Sequence, residues 1–235
     1  MRHRRRSLGS VGWVPAGRPE PLPRELLPPG LRVPAAVVAV LATAVVAVLG
    51  VRYAGDSAPG RVDGHLDRAL DALPAHGIAQ VVIRLGSPAF VAVAAALVAL
   101  ICLRGRRFRA AVLAVAGPGL TGLVTTFGKP AVDRTIGHDG DLAFPSGHTG
   151  GATSLALVVA LLVAAALRLG PAGTALLAAS GAVTAGAAVG TGMVVTGSHY
   201  PTDVIGGFCT ATAAVLALAL VLDAVAARRR SPEMS

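Results

Sequence analysis

Six stretches of this chain, each about 17–25 residues long, are almost continuously apolar, which is the length a helix needs to cross a bilayer. By number they are 34–51, 87–103, 110–128, 148–168, 173–196 and 203–226. The composition agrees, because 54% of the residues are hydrophobic and the mean hydropathy is +0.68. Backbone polar groups inside hydrocarbon must be satisfied within each segment. We therefore predict an all-α fold, a polytopic membrane helical bundle with six transmembrane helices forming one domain over residues 34–226.

The segments outside these spans have a different character. Residues 1–33 are rich in Arg and Pro and lack a helical period, so we expect a disordered basic tail. A cleaved signal peptide is the alternative, but its apolar core would be shorter and nearer the N-terminus than 34–51. Residues 227–235 form a second basic tail. Residues 52–86 carry apolar side chains at helical spacing between acidic ones, which predicts an amphipathic segment on the outer membrane surface.

The basic residues indicate the orientation of the chain. Lys and Arg are enriched in cytoplasmic loops, and 15 of the 21 would lie on one side: Arg2, Arg4, Arg5, Arg6, Arg18, Arg24, Arg32, Arg104, Arg106, Arg107, Arg109, Arg168, Arg228, Arg229 and Arg230. We therefore expect a multi-pass protein of the cell (plasma) membrane with both termini cytoplasmic. The net charge of +9 does not indicate nucleic-acid binding, because the basic residues form short clusters between apolar spans.

Ionisable residues gather at the predicted outer surface. Under this topology Lys129, Arg134, His148, His199 and Asp203 all lie at span ends on that side. Any one of them, taken alone, is ordinarily interpreted as a polar residue at a helix end in the membrane interface. Two histidines and a carboxylate at one surface, together with two cations, instead favour a chemical site.

The spacing of these residues indicates the chemistry. His199 and Asp203 are four apart at a helix start, so they share a face, and the carboxylate can fix the imidazole tautomer. Residues 146–148 open the fourth span, where free backbone N–H groups and the helix dipole form an anion site. Lys129 and Arg134 add positive charge. An anion site beside paired histidines suits phosphoryl transfer through a phosphohistidine better than acyl transfer.

The motifs make a family resemblance specific. The chain resembles the type 2 phosphatidic acid phosphatase family, which is related to the vanadium haloperoxidases. That family carries Lys, six residues and Arg-Pro; then Pro-Ser-Gly-His; then Ser-Arg, five residues, His, three residues and Asp. Here residues 145–148 read Pro-Ser-Gly-His, His199 and Asp203 match the end of the third motif, and Lys129 begins the first.

The resemblance implies an activity and a role for each matching residue. The protein would be a metal-independent hydrolase without a cofactor, acting on a lipid phosphomonoester or an isoprenoid diphosphate. Phosphatidic acid and phosphatidylglycerol phosphate are both compatible substrates. His199 would be the nucleophile, Asp203 would orient it, and His148 would be the general acid. The phosphate oxygens would be bound by Lys129, Ser146 and Gly147. A phosphate contact for Arg134 is our inference from its proximity in the sequence.

Two positions depart from the family pattern. Ile136 stands where the first motif has arginine, and Met193 stands where the third motif has arginine. Each charge-assisted contact to an anion contributes about 1.5–3 kcal/mol. The alternative function is therefore a catalytically weak or inactive membrane protein that binds lipid phosphates.

Three further hypotheses fit the sequence less well. A metal site at His138, Asp139 and Asp141 competes with an ordinary solvated turn, which the Gly-containing loop favours. A serine hydrolase using Ser146 would need a nucleophile elbow, and no Gly-x-Ser-x-Gly motif is present. A transporter would carry ionisable residues inside its spans, whereas here the charges cluster at the span ends.

Overall fold

The computed structural model describes residues 25–71, 76–137 and 140–230. Most of the predicted N-terminal tail lies outside these ranges, as do residues 231–235 of the predicted C-terminal tail. His138 and Asp139, which belong to the hypothetical metal site, also lie outside the described residues.

The described residues form eight α-helices and one short hairpin. The helices are α1 Arg32–Arg52, α2 Arg61–Asp71, α3 His76–Ile83, α4 Pro88–Arg104, α5 Phe108–Val132, α6 Gly147–Ala166, α7 Pro171–Val195 and α8 Pro201–Arg230. The hairpin pairs β1 Thr135–Ile136 with β2 Asp141–Leu142 in antiparallel register, Thr135 opposite Leu142.

Five of the helices are long and apolar enough to cross a membrane. They are α1 with its preceding 3-10 turn, α5, α6, α7 and α8. The helix α4 has 17 residues, about 26 Å at 1.5 Å per residue, which is short for a span by itself. Residues His76–Gly86 and Pro88–Arg104 are joined at a 48° bend, and this pair would supply a sixth span. The predicted polytopic helical bundle is confirmed.

Local sequence explains where several of these helices begin. Ser87 caps α4 by accepting a hydrogen bond from Phe90 N at 3.3 Å, and Pro88 occupies the first turn. Pro171 similarly opens α7. Both arrangements satisfy or remove N–H groups that a helix start leaves without partners. At its other end, α5 stops at Asp133 in the left-handed conformation (φ 55°), and the chain turns there into β1.

The core lies where α6 packs against α5 and α8. Its fully buried side chains are mostly small or β-branched: Ala114, Val158, Ala164, Ala211, Val215 and Ala219. Small side chains allow helix backbones to approach closely, which matters in a bilayer because apolar lipid provides little hydrophobic drive for association. As a result, α6 is the most buried of the five membrane-length helices.

The boundaries of the two tails need correction. The composition predicts disorder for residues 25–33, but Leu26 and Leu27 are buried, and their backbone N–H groups donate to the Asp223 carboxylate at 3.0 Å. Asp223 also forms an ion pair with Arg109. At the other end, α8 continues to Arg230 rather than ending at 226. Buried hydrogen bonds order the first segment, and helix propensity extends the second.

The predicted amphipathic segment between the first two spans forms two helices, α2 and α3. On α2, Val62 and Leu66 are exposed, as expected of an interfacial helix. Asp63, however, is fully buried. The helix α3 packs against α7, where Ala79 is buried and Ile83 lies close to Gly192. The segment is therefore anchored to the bundle through specific contacts.

Candidate active site

Three helix ends meet at one end of the bundle and form a single cavity. The end of α5 supplies Lys129, the start of α6 supplies Gly147 and His148, and the link from α7 to α8 supplies His199. All four residues line a cavity of about 640 Å³. The structure thus brings together most of the residues that the sequence singled out.

Ser146 is the N-cap of α6. Its hydroxyl accepts a hydrogen bond from Thr149 N at 3.4 Å and lies 3.0 Å from the Thr149 hydroxyl. Its backbone N–H donates to the Asp203 carbonyl at 3.0 Å. Ser146 is fully buried and is not among the cavity-lining residues. Its structural role is helix capping, and phosphate contact by its side chain stays a prediction.

Two glycines hold the start of α6 from either side. A Cβ atom on Gly207 of α8 would overlap the Ser146 carbonyl oxygen, and one on Gly86 would overlap the His148 carbonyl oxygen. Both positions need glycine because backbone packs directly against backbone there. The segment that carries His148 is therefore clamped between α8 and the turn that precedes α4.

His199 faces Asp203, as the spacing predicts. Nδ1 of His199 lies 3.7 Å from Oδ2 of Asp203, slightly beyond hydrogen-bond distance. The same Oδ2 accepts the Tyr200 backbone N–H at 2.9 Å, and Asp203 is fully buried. Hydrogen bonds of this kind are often long without substrate and shorten in the complex. The other ring nitrogen, Nε2, takes no part in this pairing.

Lys129 provides the cavity with a cation. Its Nζ donates to the Leu142 carbonyl of β2 at 2.5 Å, so the hairpin positions the side chain. No other Lys or Arg lines the cavity in the described part of the chain. In the same residues, no group of three His, Cys, Asp or Glu side chains is arranged to hold a metal ion.

Arg134 lies elsewhere than predicted. Its side chain is fully buried and does not line the cavity. Nη1 donates to Asp203 Oδ1 at 2.6 Å, and Nη2 donates to Asp63 Oδ2 at 2.8 Å. This placement speaks against the predicted phosphate contact, because two carboxylates already bind the guanidinium.

Sequence reasoning missed Asp63 and Thr202, which complete this buried cluster. The Thr202 hydroxyl accepts from Arg134 Nη1 at 2.6 Å and donates to Asp63 Oδ2 at 3.0 Å. The residues 52–71 contain several aspartates, and no sequence pattern distinguishes the one that turns inward. Only the packing of α2 against the start of α8 selects Asp63.

Of the two positions that lack the family arginines, one packs among apolar side chains and the other lies in the β-hairpin. Met193 is buried with Ala152 and Val189, and Ile83 of α3 packs against this cluster. Ile136 lies half-buried in β1 opposite Asp141. Neither residue lines the cavity. Apolar packing thus replaces a charge at position 193.

The cavity continues as an apolar groove between α4 and α5. On α5 it extends from Lys129 to Val115, about 21 Å along the helix. Gly119 and Gly122 line it, and a Cβ on either would meet no atom within 4 Å. The α4 wall consists of small apolar side chains such as Ala92 and Ala95. The polar head of the cavity therefore continues into a hydrophobic groove.

These features define a membrane-embedded protein with a histidine–carboxylate site at its helix ends. Residues 122–226 match the family model of the PAP2 superfamily, and this stretch contains every motif residue from Lys129 to Asp203. The match supports the resemblance to the type 2 phosphatidic acid phosphatase family that the motifs indicate. It also supports a phosphatase-type hydrolase.

One solved structure gives an independent comparison of the fold. The chain is similar to the first transmembrane PAP2-type phosphatidylglycerolphosphate phosphatase from Bacillus subtilis, with a TM-score of 0.58 and 19% sequence identity. The match covers 84% of this chain and 97% of that one. The likeness supports the helical membrane fold. No curated protein sequence matches the chain significantly.

Proposed function

We propose that this protein is an integral membrane lipid phosphatase that hydrolyses a lipid phosphomonoester or an isoprenoid diphosphate through a phosphohistidine intermediate. The observation that carries the proposal is the shared cavity. It presents Lys129, His148 and His199 together at the polar head of an apolar groove. A phosphate group fits the chemistry of the head, and a hydrocarbon chain fits the chemistry of the groove.

The geometry supports a reaction in two steps. In the first, Nε2 of His199 attacks phosphorus, an N–P bond forms, and the P–O bond to the lipid breaks. His148 gives its proton to the leaving oxygen. In the second, water attacks the phosphohistidine and gives a proton to His148, the N–P bond breaks, and inorganic phosphate is released. Asp203 faces Nδ1 of His199 and stabilises the imidazolium character that develops there.

Two features balance the negative charge on the phosphoryl group during its transfer. Lys129 supplies one full positive charge, and the start of α6 supplies backbone N–H groups at Gly147 and His148 with the positive end of the helix dipole. Donors fixed in this way stabilise an anionic transition state without reorganising. With a single cavity lysine among the described residues, phosphate binding depends strongly on this helix end.

The apolar groove favours a lipid substrate over a soluble one. Gly119 and Gly122 of α5 line the groove and are exposed, so a lipid can keep its chain in the bilayer while its phosphate reaches His199. The loop charges support an extracytoplasmic site: Arg104, Arg106 and Arg107 lie at the opposite end of the bundle from Lys129. Both termini would then be cytoplasmic, and the protein would act in the cell membrane.

The test is phosphate release by the purified full-length protein, in detergent with EDTA, from a panel of substrates. The panel contains an isoprenoid diphosphate, phosphatidic acid, phosphatidylglycerol phosphate and a short soluble phosphomonoester. We expect release from at least one lipid phosphate and its loss in His199→Ala. His65→Ala is the matched control, because His65 is exposed on α2, hydrogen-bonds to the Arg61 carbonyl and does not line the cavity.

The alternative, a weak or inactive lipid-phosphate binder, is favoured by Ile136 and Met193. It predicts equal background release by the wild type and His199→Ala on every substrate, with lipid phosphate still bound. A phosphohistidine trapped by rapid quenching, labile at low pH and absent from His199→Ala, would instead support the enzyme.

A further inference from the structure

We propose that Asp63 and Arg134 are positioning residues for the His199–Asp203 pair, so that the interfacial helix α2 takes part in setting the geometry of the site. The inference rests on the proposed function. It explains why Asp63, Arg134 and Asp203 are fully buried, are linked by two ion pairs and do not line the cavity.

Asp63 is held in place by several donors. Its Oδ1 accepts the Thr202 backbone N–H at 2.9 Å. Its Oδ2 accepts from the Gly60 N–H at 3.1 Å, the Thr202 hydroxyl at 3.0 Å and Arg134 Nη2 at 2.8 Å. Because Thr202 lies in the first turn of α8, Asp63 acts on the start of that helix and on the guanidinium at once. It therefore links α2 to the turn that carries Asp203.

Arg134 is fixed by a planar fork and two aromatic faces. One terminal nitrogen binds Asp203 and the other binds Asp63, a geometry that guanidinium supports and ammonium does not. The guanidinium carbon lies 4.1 Å from the centre of the Tyr53 ring and 4.6 Å from that of Tyr200. Burial raises the pKa of the Tyr200 phenol, so this ring stays neutral beside the cation.

This arrangement constrains the Asp203 carboxylate. Arg134 occupies Oδ1 at 2.6 Å and the Tyr200 N–H occupies Oδ2 at 2.9 Å, so the carboxylate plane is set from both sides. In that orientation Oδ2 is the oxygen that faces Nδ1 of His199. If Asp63 lost its charge, Arg134 would keep one of its two carboxylate partners. The cation would then shift relative to Asp203, and the orientation of His199 would follow.

A purely structural role is the competing explanation, since removing one partner of a buried ion pair also destabilises a protein. The two roles differ in what they predict for kcat. A structural role lowers the amount of folded protein. A positioning role lowers the turnover of the folded enzyme, and only while Asp203 is present to transmit the effect.

The first experiment compares Asp63→Asn with Asp56→Asn. Asp56 is the matched control because its carboxylate forms an exposed pair with Arg52 at 3.7 Å. We expect kcat of folded Asp63→Asn to fall about 10- to 100-fold with KM changed less than about threefold, as for a small misplacement of reacting groups. Asp56→Asn should keep wild-type kcat. An active wild type with unchanged kcat in Asp63→Asn overturns the positioning role alone, whereas an inactive wild type overturns the proposed function as well.

The second experiment is a double-mutant cycle with Asp203→Asn. If Asp63 acts through Asp203, adding Asp63→Asn to Asp203→Asn should lower residual kcat less than about twofold. Equal fold-losses in both backgrounds would overturn the proposal. Should Asp63→Asn fail to fold at the assay temperature, Arg134→Lys takes its place in the cycle. It keeps the charge but cannot bind both carboxylates, and the same non-additivity is expected.

Discussion

The contact between α8 and the start of α6 can be tested by Gly207→Ala. A Cβ at this position would lie 3.1 Å from the Ser146 carbonyl carbon and 3.2 Å from Gly150 N, and it would overlap the Ser146 oxygen. Favourable contacts between heavy atoms need about 3.5–4.0 Å. Since all three of these atoms belong to backbone, one helix must move away from the other by about 1 Å.

Such a shift separates the two halves of the site, because Ser146 precedes His148 and Gly207 follows Asp203 on its helix. Misplacement by about 1 Å can reduce a rate about 100-fold, and overpacking costs about 1–3 kcal/mol of stability. We expect Gly207→Ala to lower kcat for lipid phosphate about 100-fold. The melting temperature, measured in the same detergent, should fall only moderately.

The control for this prediction is Gly64→Ala. Gly64 lies in α2, and a Cβ there would meet no atom within 4 Å, so alanine should leave both kcat and melting temperature near wild-type values. If folded Gly207→Ala turned over lipid phosphate within about twofold of the wild type, the backbone clamp would not be needed for the chemistry.

Three further predictions concern the groove, the missing arginine and the pH dependence. Gly122→Leu should fill open space in the groove. We expect kcat/KM for long-chain lipid phosphates to fall at least about tenfold, while kcat/KM for a soluble phosphomonoester stays unchanged. Equal losses on both substrates would refute the groove as the lipid site. Met193→Arg should bury a charge among apolar side chains and lower the free energy of unfolding, measured with denaturant, by about 3 kcal/mol. The control Met193→Leu should lower it by less than about 1.5 kcal/mol. A Met193→Arg variant that is more stable or more active than the wild type would contradict this prediction. When chemistry limits the rate, kcat should be bell-shaped in pH, because His199 must be neutral and His148 protonated; a flat profile from about pH 5 to 8 would contradict these roles.

Helix positions were largely predictable because they depend on local sequence. The predicted span 148–168 corresponds to α6, Gly147–Ala166, and 173–196 corresponds to α7, Pro171–Val195. The largest differences fall where hydrophobicity ends before the helix does. The predicted 110–128 and 203–226 extend to Val132 and Arg230, because charged and polar residues can continue a helix beyond the hydrocarbon.

The sequence by itself determined the class of fold, and it predicted four of the residues that line the cavity, Lys129, Gly147, His148 and His199. Apolar length defines membrane helices, and the four-residue spacing predicts that His199, just before α8, faces Asp203 in its first turn. Only the tertiary structure decided the partners of Arg134. Its neighbour in space is Asp63, 71 residues earlier in the chain, and its burial depends on how α2 packs onto α8. Charge in a sequence is a local property, but whether that charge meets substrate or another side chain is set by packing between distant segments.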